Sequence, residues 1–117
     1  MATPLTARLD ISDVLVDSAA RTASGNSTGL STFASTSRLR VQLDVTAVSG
    51  TSPSMTVLVE DTLDGVNWNT VGTFAAKTAA GREVVNITTP YAGEIRASWT
   101  ITGTSPTFTF SVRAHGA

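Results

Sequence analysis

The sequence predicts an all-β domain, an antiparallel two-sheet β-sandwich of about seven or eight strands, and three observations lead there. Apolar residues recur at every second position almost without a break from Leu39 to Val112. Turn-forming clusters interrupt that pattern at short, even intervals. Serine and threonine together make up roughly a quarter of the chain, and threonine suits the pleated, wetted face of a strand. Six segments that are each dry on one face need two sheets packed together, in an immunoglobulin-like or jelly-roll-like arrangement.

Residues 1–37 form the first division of the chain. Leu9, Ile11 and Val14-Leu15-Val16 are candidates for one or two strands. The Ser/Thr/Ala/Gly run from Ala19 to Ser37, anchored only by Leu30 and Phe33, reads either as a long surface loop or as an extended N-terminal arm that orders on a partner. Residues 38–117 form the sandwich core. Leu39, Val41, Leu43, Val45 and Ala47 alternate with Arg40, Gln42, Asp44 and Thr46. Met55, Val57 and Val59 mark the second strand of this division, and Val66, Trp68, Thr70 and Phe74 the third, with Gly72 at an expected bulge or close approach. Val85 and Ile87 form a short strand ending before Pro90. Ile95, Ala97, Trp99 and Ile101 form the next, and Phe108, Phe110 and Val112 the last.

Hairpin turns are expected at Ser49–Pro53, Asp64-Gly65, Ala80-Gly81 and Gly103–Pro106, with each proline at the head of its strand. An internal repeat supports the first and last. Val48-Ser-Gly-Thr-Ser-Pro-Ser-Met-Thr-Val57 matches Ile101-Thr-Gly-Thr-Ser-Pro-Thr-Phe-Thr-Phe110 nearly residue for residue. The strands entering the two copies carry their apolar residues offset by one, which implies a bulge or a difference in loop length.

Length and composition narrow the function. A chain of 117 residues holds one core and can fold without crosslinks. It has no cysteine, so disulfides and thiolate metal sites are impossible. Eight basic residues against nine acidic, with the arginines scattered along the chain, make nucleic acid an unsuitable partner. No apolar run approaches the roughly 20 residues of a membrane-spanning helix. Arg8, Asp10 and Asp13 fall where a signal peptide would place its apolar segment, so the expected site of synthesis is the cytoplasm.

No constellation points to catalysis, a metal or another cofactor. His115 is the single histidine, third from the last residue, where a supporting set of hydrogen bonds is uncommon. Glu60, Asp61, Asp64 and Asn67 could surround a calcium ion, but their spacing is not that of an EF-hand and Asp-Gly is already explained by the turn. Asp61-Thr-Leu-Asp-Gly-Val-Asn-Trp68 is similar to the Asp-box turn of sialidase-type propellers, short of one residue, and its simplest role is structural. Trp68 and Trp99 could stack on sugar rings, although both fall on the dry sides of their strands. Asn26 and Asn86 head formal glycosylation sequons that matter only on a secretory route.

Four strings carry a resemblance to a known group: Leu-Arg-Val-Gln-Leu-Asp-Val-Thr from Leu39, Ser-Gly-Thr-Ser-Pro from Ser49, Val-Glu-Asp-Thr-Leu-Asp-Gly-Val-Asn-Trp from Val59, and Phe-Thr-Phe-Ser-Val from Phe108. Together they resemble small β-sandwich structural proteins of tailed bacteriophages, among them capsid decoration (cement) proteins and minor tail components. The resemblance implies a non-enzymatic virion part made in the bacterial host cytoplasm. It implies the major capsid protein or tail proteins as partners, with self-association as a trimer compatible with capsid symmetry. A carbohydrate-binding sandwich built on the two tryptophans is the alternative from another class.

Overall fold

A computed structural model describes residues 10–117. Arg8, Leu9 and the rest of the first nine residues of the expected arm lie outside the described residues. The fold is all-β and antiparallel. Six strands, β1 (Ile11–Arg21), β2 (Gly25–Asn26), β3 (Leu39–Thr62), β4 (Trp68–Thr73), β5 (Gly81–Ile87) and β6 (Glu94–Gly116), hydrogen-bond into one sheet. Separate strands expected over 39–47 and 55–60 are one strand, and so are those expected over 95–101 and 107–113. Strands β3 and β6 pair with each other from Leu39 opposite Gly116 to Asp61 opposite Ile95.

The expected hairpins at Ser49–Pro53 and Gly103–Pro106 are therefore corrected: neither turns the chain back. The two Gly-Thr-Ser-Pro copies lie against each other in the middle of the ribbon, with Thr51 opposite Thr104. Gly50 and Gly103 have φ of 110° and 122°, and Ser52 and Ser105 have φ of 50° and 46°. These left-handed steps kink both strands, and the register slips between Val45 and Ala47 and on either side of Thr51. A Cβ on Gly50 would lie 2.7 Å from the Ser105 carbonyl oxygen, and one on Gly103 would lie 2.8 Å from that of Ser52. Each copy thus needs a glycine because the other copy's backbone is so close. Pro53 and Pro106 sit in the interior of their strands, where the ladder is already interrupted.

The kink divides the ribbon into two half-sheets. In the first, the order is β1, the C-terminal half of β6, the N-terminal half of β3, then β5. In the second it is β2, the N-terminal half of β6, the C-terminal half of β3, then β4. The long strands exchange roles between the halves, so the repeat marks a pseudo-twofold relation centred on Thr51 and Thr104. The register slips reconcile the one-residue offset of the apolar pattern. Leu39, Val41, Leu43 and Val45 share a face with Phe110, Val112 and Ala114, whereas Met55, Val57 and Val59 share one with Ala97, Trp99 and Ile101. Both faces belong to one core. Trp99 of the second half meets Phe110 of the first edge-on, with ring centroids 5.4 Å apart.

Strands β4 and β5 are not hairpin partners, which corrects the turn expected at Ala80-Gly81. Each pairs with a different half of β3. Gly72 is both bulged and closely approached: register slips opposite it, and a Cβ there would strike Ile87 Cδ1.

The segment 19–37 lies along the edge of the sheet. Part of it belongs to β1 and β2, and its small hydroxyl side chains bind it to the edge of β6. Ile101 N–H donates to Ser24 Oγ at 2.9 Å, Ala97 N–H donates to Ser27 Oγ at 2.9 Å, and Leu30 exchanges backbone bonds with Ile95. Serine oxygens here stand in for strand carbonyls. Phe33 is fully buried and anchors the following turn, where Thr36 Oγ1 lies 2.5 Å from the Tyr91 hydroxyl oxygen.

Candidate interaction surface

The two half-sheets turn very different outer faces to water. On the second, Glu60 lies opposite Arg96 and they pair at 2.8 Å, Leu58 lies opposite Ser98, and Thr56 lies opposite Thr100. Arg96 also covers Trp68, its guanidinium carbon 4.1 Å from the ring centroid. On the first, Arg40 lies opposite His115 and Arg113 opposite Gln42. Diagonal neighbours of this kind stand about 7–8 Å apart. Neither Arg40 nor Arg113 has an ion pair or hydrogen bond among the described residues. Acids around this face are engaged elsewhere: Asp44 pairs with Arg82 at 3.6 Å, Asp10 with His115 at 3.0 Å, and Asp13, which lines the same groove as the two arginines, accepts from Val14 N–H and the Thr32 hydroxyl. An open groove of about 630 Å³ crosses this face, with Val14 and Val84 beside the two arginines.

The expectation of scattered arginines therefore needs correction. Arg38, Arg40, Arg82 and Arg113 gather on or beside one outer face, because three elements far apart in sequence supply them at the same side of the pleat.

His115 is better held than its position near the end suggests. It sits inside β6 with β3 on one side and β1 on the other. Ser12 Oγ lies 2.8 Å from its Nδ1, and Asp10 Oδ1 lies 3.0 Å from its Nε2. The serine and aspartate thus occupy the opposite ring nitrogens from those of a Ser-His-Asp triad. The contact ties β1 to β6 in open solvent. Sequence reasoning missed it because the partners are 103 and 105 positions away and meet only through strand register.

The acids considered for calcium do not converge. Glu60 faces outward to Arg96, and Asp61 is buried on the other face of the strand, accepting from Ala92 N–H at 3.1 Å. Asp64 is exposed and organises its own turn. Its Oδ1 accepts from Val66 N–H at 2.8 Å, Asn67 N–H at 2.7 Å and the Thr62 hydroxyl at 3.2 Å, and its Oδ2 accepts from Asn67 Nδ2 at 2.7 Å. The backbone N–H groups of Asn67 and Val66 hold its carboxyl well below the usual carboxylate range. The turn displays two apolar side chains, Leu63 at 78% and Val66 at 77% exposure. Val66, expected on the dry side of its strand, belongs to the turn instead.

Neither tryptophan offers a ready sugar platform. Trp99 is buried, its Nε1–H donates to the Ala23 carbonyl at 3.1 Å, and Arg21 lies over its ring. One face of Trp68 is taken by Arg96. Asn26 and Asn86 are exposed on β2 and β5. No helix of the described residues is long and apolar enough to cross a membrane.

The chain matches no known family profile and no curated protein by sequence. Its fold is shared with part of a solved structure, the PBSX exported protein XepA, at a TM-score of 0.66 and 13% identity. The likeness covers 92% of this chain and 37% of that one, so the chain spans well under half the length of its neighbour.

Proposed function

We propose that this chain is a non-enzymatic structural module of a tailed-phage particle, a capsid decoration protein that sits on the major capsid lattice. The observation that carries the reading is the fold shared, over nearly the whole chain, with part of the PBSX exported protein XepA, a phage protein. The phage-like strand and turn strings of the sequence support it, as does an outer face with charges available for a partner. We read the kinked ribbon as closed over into a two-layer sandwich, a reading supported by the contact of Trp99 with Phe110 across the halves. In such a body the interior is filled by side chains, and chemistry is left to what docks outside.

Mixing the purified protein with undecorated capsids of its phage tests the proposal. Saturable binding, at hundreds of copies per particle, is the expected result. A few dozen copies or fewer in purified particles would assign the protein to the tail or the head–tail junction, and its absence from particles would end the virion reading.

A further inference from the structure

Two exposed features have complementary chemistry and cannot meet within one chain. The first is the groove on the outer face of the first half-sheet, where unpaired Arg40 and Arg113 lie beside Val14 and Val84, the latter 40% exposed. The second is the turn Thr62–Asn67, whose tip carries exposed Leu63 and Val66 around an ionised carboxylate. We propose that the Leu63–Val66 tip of one copy docks into the Arg40/Arg113 groove of a second copy, head to tail.

Charge complementarity selects this occupant. The groove carries two arginines against one carboxylate, Asp13, which is already engaged with Val14 N–H and Thr32, so it is net cationic within a chain of net charge −1, and the tip brings it an anion flanked by apolar groups. Asp64 is suited to the contact because three of its hydrogen bonds fall on Oδ1 and one on Oδ2. A carboxylate oxygen accepts about two hydrogen bonds, so Oδ2 retains room for a guanidinium donor. The turn is already locked, so little conformational freedom is lost on docking. Of the four arginines on or beside this face, Arg82 pairs with Asp44 and only Arg40 and Arg113 line the groove, and even four fall short of about 6–10 phosphate contacts, which disfavours nucleic acid as the occupant.

Tip and groove are different surfaces, so the contact is heterologous and propagates into a ring or an open filament. Its small area makes it weak in dilute solution and effective where many copies are held together. This inference stands apart from the capsid reading, since it concerns only copies of this chain.

Sedimentation of the isolated protein at concentrations on the order of 0.1–1 mM is the test. Wild type should show concentration-dependent association that weakens with salt. L63S/V66S removes the tip and R40S/R113S removes the groove. Each alone should weaken association by about tenfold or more, with unchanged circular dichroism and thermal midpoint because all four residues lie on the surface. Mixed, the two variants should form dimers and nothing larger, each retaining the surface that the other lacks. A wild type that stays monomeric at about 1 mM overturns the proposal. So does either variant associating as wild type does, or a mixture that fails to complement.

Discussion

The two half-sheets share an interior plan and diverge outside. Inside, each half presents alternate apolar residues of β3 and β6 to a common core, and the kinked repeats relate one to the other. Outside, the second half neutralises itself through Glu60, Arg96 and Trp68, whereas on the first Arg40 and Arg113 have no ion pair among the described residues. The difference teaches which side of such a module can carry its contacts. Burial dictates the inner pattern twice over, while the outer faces are free to differ and so can carry the contacts.

The largest test of the shared interior is at the aromatic pair. Phe110→Ala and Trp99→Ala should each cost about 3–5 kcal/mol in denaturant unfolding. The double variant should cost less than their sum by about 0.5–1.5 kcal/mol, because the rings touch. Full additivity would mean that the halves do not meet there. Next come the kinks. Gly50→Ala and Gly103→Ala should each cost about 1–3 kcal/mol through left-handed strain, and markedly unequal costs would break the pseudo-twofold relation.

Smaller again is Ser27→Ala, which leaves Ala97 N–H without its side-chain acceptor and should cost about 1 kcal/mol. Hydrogen exchange at Ala97 is the direct readout. Asp64 gives the mildest effect, with a defined sign. Its folded-state pKa is depressed, so its contribution is complete above the ordinary aspartate value of about 3.9 and is lost as pH falls toward the folded value. Asp64→Asn should therefore lower the thermal midpoint slightly at neutral pH, where the contribution is present, and flatten its acid limb below about pH 4, where wild type loses it as well.

Much of this was legible from the residues. Period-two alternation located the inward side chains of β3 and β6, since burial acts residue by residue. Asp64-Gly65 was legible as a turn because its hydrogen bonds are local. The repeat was visible, but its meaning was not. Gly-Thr-Ser-Pro has the composition of a hairpin, and only its pairing with a distant second copy turns it into a kink. The Ser24 and Ser27 contacts were hidden in what looked like linker composition, because a hydroxyl that replaces a strand carbonyl has no periodic signature. The arginine face and the Ser12–His115–Asp10 cluster depend on register between strands from opposite ends of the chain. Sequence spacing carries no information on that.

The pairing of β3 with β6 also dictates how the protein assembles. Contacts nearest in sequence lie at the Asp61–Ile95 end of the ribbon, and the most distant lie at Leu39–Gly116. Loop closure favours the shorter span, so the ladder is expected to zip from Asp61 toward Leu39 after the local β3–β4 turn has formed. The central kinks lie midway along that route, where two left-handed glycine steps must meet before the remaining half can close. Refolding on a timescale of milliseconds to seconds follows from so non-local a set of pairings, with amides of the first half-sheet gaining protection last.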